Sequence, residues 1–297
     1  MKFYSNGKFL ITGEYLILDG AKSLAVPTKF GQELKIDSND SKFIEWESLD
    51  KNGKVWFKCK IQISNLNLES TSSEKISNKL LKILKFIRKE KPEFLRNQGH
   101  KITTSLTFDK NWGLGTSSTL INNLSKLAEI DPFKLNKRIF KGSGYDIACA
   151  SSNSHILYQI IDDNHIIKNV KFNPPFKKHL YFVYLNKKQN SLEELNIYNK
   201  VKKNKSLVSE IDEITLKVLN SRNFYEFNNL ISSHEKIISS IISKKTIKSK
   251  FKDFNGELKS LGAWGGDFIL ASTKDDPYKY FNSKGLETIY KFDEIVL

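Results

Sequence analysis

The sequence predicts an α+β chain of two packed halves, and three observations carry that expectation. Apolar and polar residues alternate through much of the first 70 positions, as antiparallel strands require. Helix-periodic runs take over after Ser73, and strand, glycine loop and helix succeed one another between Ile102 and Ile130. At 297 residues there is room for two domains or one large one, at about 150 residues per unit.

The elements follow in order. Val55, Phe57, Cys59, Ile61 and Ile63 alternate with Trp56, Lys58, Lys60 and Gln62, placing one set on the buried face of a sheet, and Asn52-Gly53 supplies the turn from the preceding strand at 43–47. Ser73 opens a helix with Ile76, Leu80, Leu81, Leu84 and Ile87 at helical spacing, and Pro92 ends it. Ile102 to Phe108 alternates as a strand. A loop with glycines follows at 111–116, then a helix over 117–130 with Leu120, Ile121, Leu124, Leu127 and Ala128 on one stripe. Asp131-Pro132 starts another helix. Gly142-Ser143-Gly144 turns into a short helix and the strand His155 to Ile161. Asn173-Pro174-Pro175 demands extended chain and marks the expected boundary between domains 1–172 and 173–297. Beyond it come a strand at 180–185, mostly helical sequence over 191–243 with breaks near Asn204 and Asn220, a third glycine loop at 262–266, the strand Phe268 to Ser272, a helix and a terminal strand.

Composition removes several classes of protein. With 39% hydrophobic and 27% charged residues, the chain can bury enough surface to fold and is neither disordered nor low-complexity. Cys59 and Cys149 form no CxxC and no Cys/His cluster, which excludes a disulfide scaffold and a zinc module. Lys8 and Glu14 interrupt the N-terminal apolar stretch and no window approaches a membrane span, so a cytoplasmic protein without membrane attachment is expected. The net charge of +15 points either to an anionic partner or to a lysine-rich solvated surface. Only Arg88, Arg96, Arg138 and Arg222 are arginines, and the lysines are scattered, so a nucleic-acid partner is not expected.

Three glycine loops carry the residues with chemistry. Trp112-Gly113-Leu114-Gly115-Thr116-Ser117-Ser118 lies between a strand and a well-patterned helix. Backbone N–H groups at such a helix start, with the positive end of its dipole, suit a phosphate. Glycines allow close backbone approach, and three hydroxyls can bond phosphate oxygens or hold magnesium. The same residues also fit a plain Ser/Thr-capped helix. The loop matches neither Walker A nor GxGxxG. In the second loop, Asp146 follows Gly142-Ser143-Gly144-Tyr145: its carboxylate can take or orient the proton of an attacking hydroxyl, or merely cap a turn. The third loop, 262–266, can seat a substrate or simply turn the chain. Lys8, Gly13-Glu14 and Asp19-Gly20 are ambiguous alone, and the five histidines show no metal-ligand or triad spacing.

The order of these pieces is more specific than any one of them. Ser5-Asn6-Gly7-Lys8-Phe9-Leu10-Ile11-Thr12-Gly13-Glu14-Tyr15-Leu16-Ile17-Leu18-Asp19-Gly20 resembles the first signature of the GHMP kinases, named for galactokinase, homoserine kinase, mevalonate kinase and phosphomevalonate kinase. Gly113-Leu114-Gly115-Thr116-Ser117-Ser118 is similar to their second signature, the phosphate loop, and Gly262-Ala263-Trp264-Gly265-Gly266-Asp267 to their third. The stretch Gly142 to Ala148 and the run Glu14 to Asp19 lean toward the phosphomevalonate and mevalonate kinase branch.

This resemblance implies a ribosomal-protein-S5-like N-terminal domain and a ferredoxin-like C-terminal domain. It further implies ATP and magnesium as cofactors, a mevalonate-type acceptor, and a homodimer as one option. Carried over by position, Gly113, Leu114, Gly115, Thr116, Ser117 and Ser118 would wrap the ATP phosphates. Ser117 would hold magnesium, Asp146 would be the base, Lys8 would lie against Asp146 and the transferring phosphoryl group, and Ser143 would bond acceptor or γ-phosphate. Three positions depart from the family. The mevalonate-kinase glutamate eight residues before Ser143 is Leu135 here, leaving magnesium to Ser117 and the nucleotide or to Glu129; Ser118 replaces an alanine; and Trp264 replaces a glycine. Asp146 argues against the homoserine kinase branch. The competing class is a non-catalytic or nucleic-acid-binding protein on the same fold.

Overall fold

Local pattern is honoured almost everywhere in the computed structural model, which describes residues 1–140, 142–189, 198, 204–262 and 264–297. The sequence readings that fall on Lys141, Ala263 and 190–203 other than Tyr198 lie outside the described residues. The chain divides into two units, one of Met1–Gly7, Phe30–Lys110 and Leu114–Ser151, the other of Lys8–Lys29, Asn111–Gly113 and Ser152–Leu297.

In the first unit, β3 (Phe43–Leu49) pairs antiparallel with β4 (Val55–Gln62) and parallel with β6 (Gly99–Leu106), so that Trp46 faces Cys59 on one side and Ile102 on the other. β5 (Leu68–Thr71) flanks β4, and the second part of β2 (Ser23–Asn39) flanks β6. The expected turn forms around Asp50, whose carboxylate accepts from the amides of Asn52 and Lys54 at 2.9 and 3.0 Å. Phe57, Cys59 and Ile61 are buried as the alternation requires, but Val55, beside the turn, is exposed.

Four helices cover this sheet: α1 (Glu74–Glu90), α2 (Thr116–Ala128), α3 (Pro132–Ile139) and α4 (Tyr145–Ser151). Leu80, Leu84 and Ile87 of α1, Ile121 and Leu124 of α2, Leu135 of α3 and Ile147 of α4 share one apolar core with Ile44, Phe57 and Ile102. Asp131 caps α3 as its Asp-Pro sequence demands, accepting from the Phe133 amide. A buried polar ladder fixes α2. Asn123 donates to the Gln32 carbonyl at 2.9 Å, Thr119 to the Gln32 side chain at 3.0 Å, and Asn122 to both Ser5 and the Ala150 carbonyl at 2.8 and 3.0 Å.

The second unit contains β9 (Leu180–Tyr184), α5 (Lys205–Asn220), α6 (Phe224–Ile241), β10 (Glu257–Ser260), β11 (Phe268–Ser272), α7 (Pro277–Asn282) and β12 (Ile289–Lys291). The strands form an antiparallel sheet in the order β10-β11-β9-β12. With the helical pair counted as one crossover this is the βαββαβ succession of a ferredoxin-like fold. Asn204, Asn223 and Asp276 cap the three helices through their side chains. Two features go beyond the sequence reading. β7 (His155–Ile161) folds back on β8 (Asn164–Val170). The terminal strand β12 is followed by one further turn, α8 (Phe292–Ile295), after which Val296 bridges Thr28.

Candidate active site

Trp112 anchors the loop that follows β6, packing edge-on against Phe268 and Tyr290 with ring centroids at 5.6 and 5.5 Å. The Tyr184 hydroxyl donates to the carbonyl of Asn111 at 3.1 Å. Beyond this anchor, Gly113 and Gly115 adopt φ of +68° and +94°, a region glycine enters without the Cβ penalty. Gly115 is the N-cap of α2, so the first turn of the helix has no side-chain cap. The Ser/Thr-capped alternative therefore does not hold here, and no side-chain cap takes up the amides of the first turn.

The three hydroxyls of this turn are not equivalent. Ser117 is exposed and Thr116 half-buried. Ser118 is buried, and its hydroxyl donates to the Gly115 carbonyl at 2.8 Å. Ser118 thus closes the turn. The Leu114 side chain is buried.

The second loop also ends in a helix start. Gly144, at φ +87°, leads into α4, and Asp146 sits in the first turn with its carboxylate accepting from the Ile147 amide at 3.1 Å. Ser143 lies half-buried in the turn just before. Since α4 packs on α2 and its Ala150 carbonyl is held by Asn122, the first unit carries Asp146 and Thr116–Ser118 on two mutually fixed helices.

Lys8 lies inside β1 (Lys2–Leu10), and its ammonium donates to the Gly113 carbonyl at 3.0 Å. It shares a small cavity with Trp112, Gly113, Gly262 and Asp267. Asp267 is a site residue the sequence reading did not single out; its signal was an acid directly after a glycine loop, in the same pattern that drew attention to Asp146. Burial pushes its carboxyl up from the usual carboxylate value, while the Gln189 amide and the charges of Lys8 and Lys188 pull the other way.

A few residues along, Glu14 is wholly buried and ion-paired with the ammonium of Lys259, itself buried. Its second oxygen is 3.4 Å from His234 Nε2, which accepts from the Gly13 amide at 2.8 Å. That bond requires a lone pair on Nε2, and burial holds the imidazole well below its ordinary pKa, so His234 is neutral with its proton on Nδ1. Burial outweighs Lys259 at Glu14, whose pKa is pushed up to about 7. Neighbouring Glu235 is satisfied by the amides of Ile247 and Ser260 and by the Ser260 hydroxyl. Tyr15 then turns at φ +63° and ψ −55° with the Leu16 amide donating to the Glu14 carbonyl at 2.7 Å, a strained γ-turn.

Among the described residues, no group of three His, Cys, Asp or Glu side chains has the proximity of a metal site. Glu129 is the C-cap of α2, twelve residues beyond Ser117, hence roughly 18 Å away at 1.5 Å per residue. It cannot share an ion with Ser117. Leu135 is fully buried in the core. Among the described residues no helix is long and apolar enough to cross a membrane.

No family model matches the sequence, and no curated protein does. Solved structures do. The chain has the two-domain α+β fold of the GHMP kinases. Mevalonate kinase of Methanococcus jannaschii superposes with a TM-score of 0.72 at 16% identity, covering 98% of this chain and 96% of that one. Streptococcus pneumoniae phosphomevalonate kinase, solved with phosphomevalonate and AMPPNP, gives 0.69 at 15% identity over 98% and 99%. Lactococcus lactis galactokinase with galactose gives 0.64 at 12% over 97% and 92%.

Proposed function

We propose that the protein is a cytoplasmic, ATP- and magnesium-dependent small-molecule kinase with phosphomevalonate as acceptor and mevalonate as the alternative, residues 1–172 forming the nucleotide-binding domain and 173–297 the second. The observation that carries this reading is the start of α2, where a left-handed glycine replaces a side-chain cap and leaves the first-turn amides to an anion. The fold is supporting evidence, since solved kinases of several acceptors share it.

Phosphoryl transfer asks a protein mainly for charge neutralisation and in-line positioning. In this reading residues 113–118 grip the triphosphate, with Ser117 turned outward toward it and Ser118 bracing the turn. Magnesium fits a single hydroxyl, because this hard cation keeps much of its water shell and takes further ligands from phosphate; bound by Ser117, it would neutralise charge on the β- and γ-oxygens. Lys8 supplies positive charge to the moving phosphoryl group, and Ser143 donates to acceptor or γ-phosphate. Asp146 has two uses. Toward an alcohol it takes the proton as base, whereas a phosphate monoester, with a second pKa near 6, arrives largely ionised and needs only orientation.

Release of ADP, followed with mevalonate, phosphomevalonate, homoserine and galactose as acceptors, tests the proposal. Turnover of phosphomevalonate at saturating ATP is the expected result. No turnover on any acceptor, with salt-sensitive RNA binding instead, would replace it with the competing class.

A further inference from the structure

Asn122 and Asn123 stand in the middle of α2 and are both buried, a place where a side-chain amide is tolerated only if its polar atoms find partners. The Ala150 carbonyl can only accept, so the Asn122 atom 3.0 Å from it is the amide nitrogen. The second hydrogen of that nitrogen goes to the Ser5 hydroxyl oxygen at 2.8 Å. Ser5 gives its own proton to Asn123 Oδ1 at 2.6 Å, and Asn123 Nδ2 donates to the Gln32 carbonyl at 2.9 Å. Donors and acceptors thus match along a buried chain that joins β2, β1, α2 and α4.

Ala150 lies in the last turn of α4, where the carbonyls have no amide of their own helix to meet. Ile147 is the side chain that α4 contributes to the apolar core, while Ala148 and Ala150 present a methyl group each. A methyl packs without setting a direction, whereas a buried hydrogen bond sets both distance and angle. Asp146 is four residues from Ala150, hence about 6 Å along the axis at 1.5 Å per residue, and Ser117 is five residues from Asn122, hence about 7.5 Å. The Asn122–Ala150 bond therefore lies within two turns of both.

We infer that Asn122 is a positioning residue: it holds α4, and with it the Asp146 carboxylate, in a fixed place relative to the first turn of α2. Reactions that depend on alignment lose rate steeply when a participating group shifts by an ångström. Asn123 belongs to the same chain, but its bonds run to Ser5 and Gln32 and do not reach α4. What Asp146 does for the reaction rests on the kinase reading; the tie between Asn122 and α4 does not.

The test compares Asn122→Leu, which removes both donors, with Asn123→Leu, its equally buried neighbour, in the full-length protein. Amide hydrogen exchange over 145–151, read by mass spectrometry, should be about fivefold or more faster in Asn122→Leu and unchanged in Asn123→Leu, since a lost buried bond favours local opening. With phosphomevalonate turned over by wild type, Asn122→Leu should lower kcat by about 10-fold or more while the calorimetric Kd for ATP stays within about twofold. Asn123→Leu should keep kcat within about threefold, the pattern of a site left aligned. If a leucine variant does not fold, the serine variant at that position replaces it: its hydroxyl can bond the carbonyl four residues back on α2 and ends one atom short of the amide nitrogen. Unchanged exchange in Asn122→Leu, normal kcat beside faster exchange, or an equal fall of kcat in the two variants overturns the inference. With no acceptor turned over by wild type, the kinase reading fails, and the exchange comparison decides whether Asn122 holds α4.

Discussion

Lys259 reaches across 245 positions of sequence to Glu14, and both side chains are buried. Its ammonium also donates to the Ser260 carbonyl at 2.9 Å. A charge pair so far from water is expensive to dehydrate, and its value depends on keeping both members.

Removing one member should therefore cost more than removing both. Lys259→Met, which leaves a buried carboxylate without its cation, is expected to destabilise the fold by about 3–5 kcal/mol. Glu14→Leu combined with Lys259→Met should recover most of that loss in urea unfolding. A double variant as unstable as the single one would show that packing, rather than charge, sets the cost.

The pH dependence of stability follows from the same cluster. Glu14 is held near 7 in the folded state, above the carboxylate value of 4.5 that it has in the unfolded chain. Its contribution is therefore complete below pH 4.5 and is lost as pH rises through about 7. His234, held neutral, works in the opposite sense: its contribution is present above the ordinary histidine value and is lost as pH falls below it. Glu14→Gln should thus gain on wild type between pH 5 and 7, by up to roughly 1.4 kcal/mol per unit. Unfolding free energies at pH 5, 6, 7 and 8 give the comparison. A variant that loses ground with rising pH would mean that Lys259 dominates over burial.

Asp146→Asn separates the two acceptors. With mevalonate a lost base should lower kcat by about 100-fold or more. With phosphomevalonate the loss should be smaller, and in wild type the acidic limb of kcat/KM should follow the acceptor's ionisation near pH 6. Nucleotide affinity, measured by calorimetry, should hardly change in either case.

Ser117 and Ser118 should fail in different ways. Ser117→Ala removes an exposed hydroxyl, so thermal stability should hold while the magnesium concentration needed for half-maximal rate rises severalfold. Ser118→Ala deletes the bond to the Gly115 carbonyl and should cost about 0.5–1.5 kcal/mol of stability. Equal melting temperatures with equal magnesium dependence in the two variants would remove the distinction drawn between them.

Much of this was readable in the sequence because it is local. The alternation of Phe57, Cys59 and Ile61, the stripe of Leu80, Leu84 and Ile87, the Asp131-Pro132 start and the glycines before α2 and α4 each act within a few residues. Propensity, periodicity and turn chemistry operate over that distance. The hairpin partner β8 was missed because its Ile166 and Ile167 are both substantially exposed, which erases the alternation that betrays a half-buried strand. Asp267 follows a glycine loop, but that local signal does not tell that it faces Gly113, which lies more than 150 positions away in the sequence.

By itself, then, the sequence determined the α+β class, most of the elements in their order and the glycine loops. Tertiary structure alone decided that Gly115 caps α2 while Ser118 turns inward, that Glu129 lies at the end of the helix far from Ser117, and that Glu14 meets Lys259 and Gly113 meets Asp267. The reason is the range of the forces concerned. Backbone preferences are set by immediate neighbours, whereas burial, and the pairing of charges that burial compels, depends on which distant segments the folded chain brings into contact.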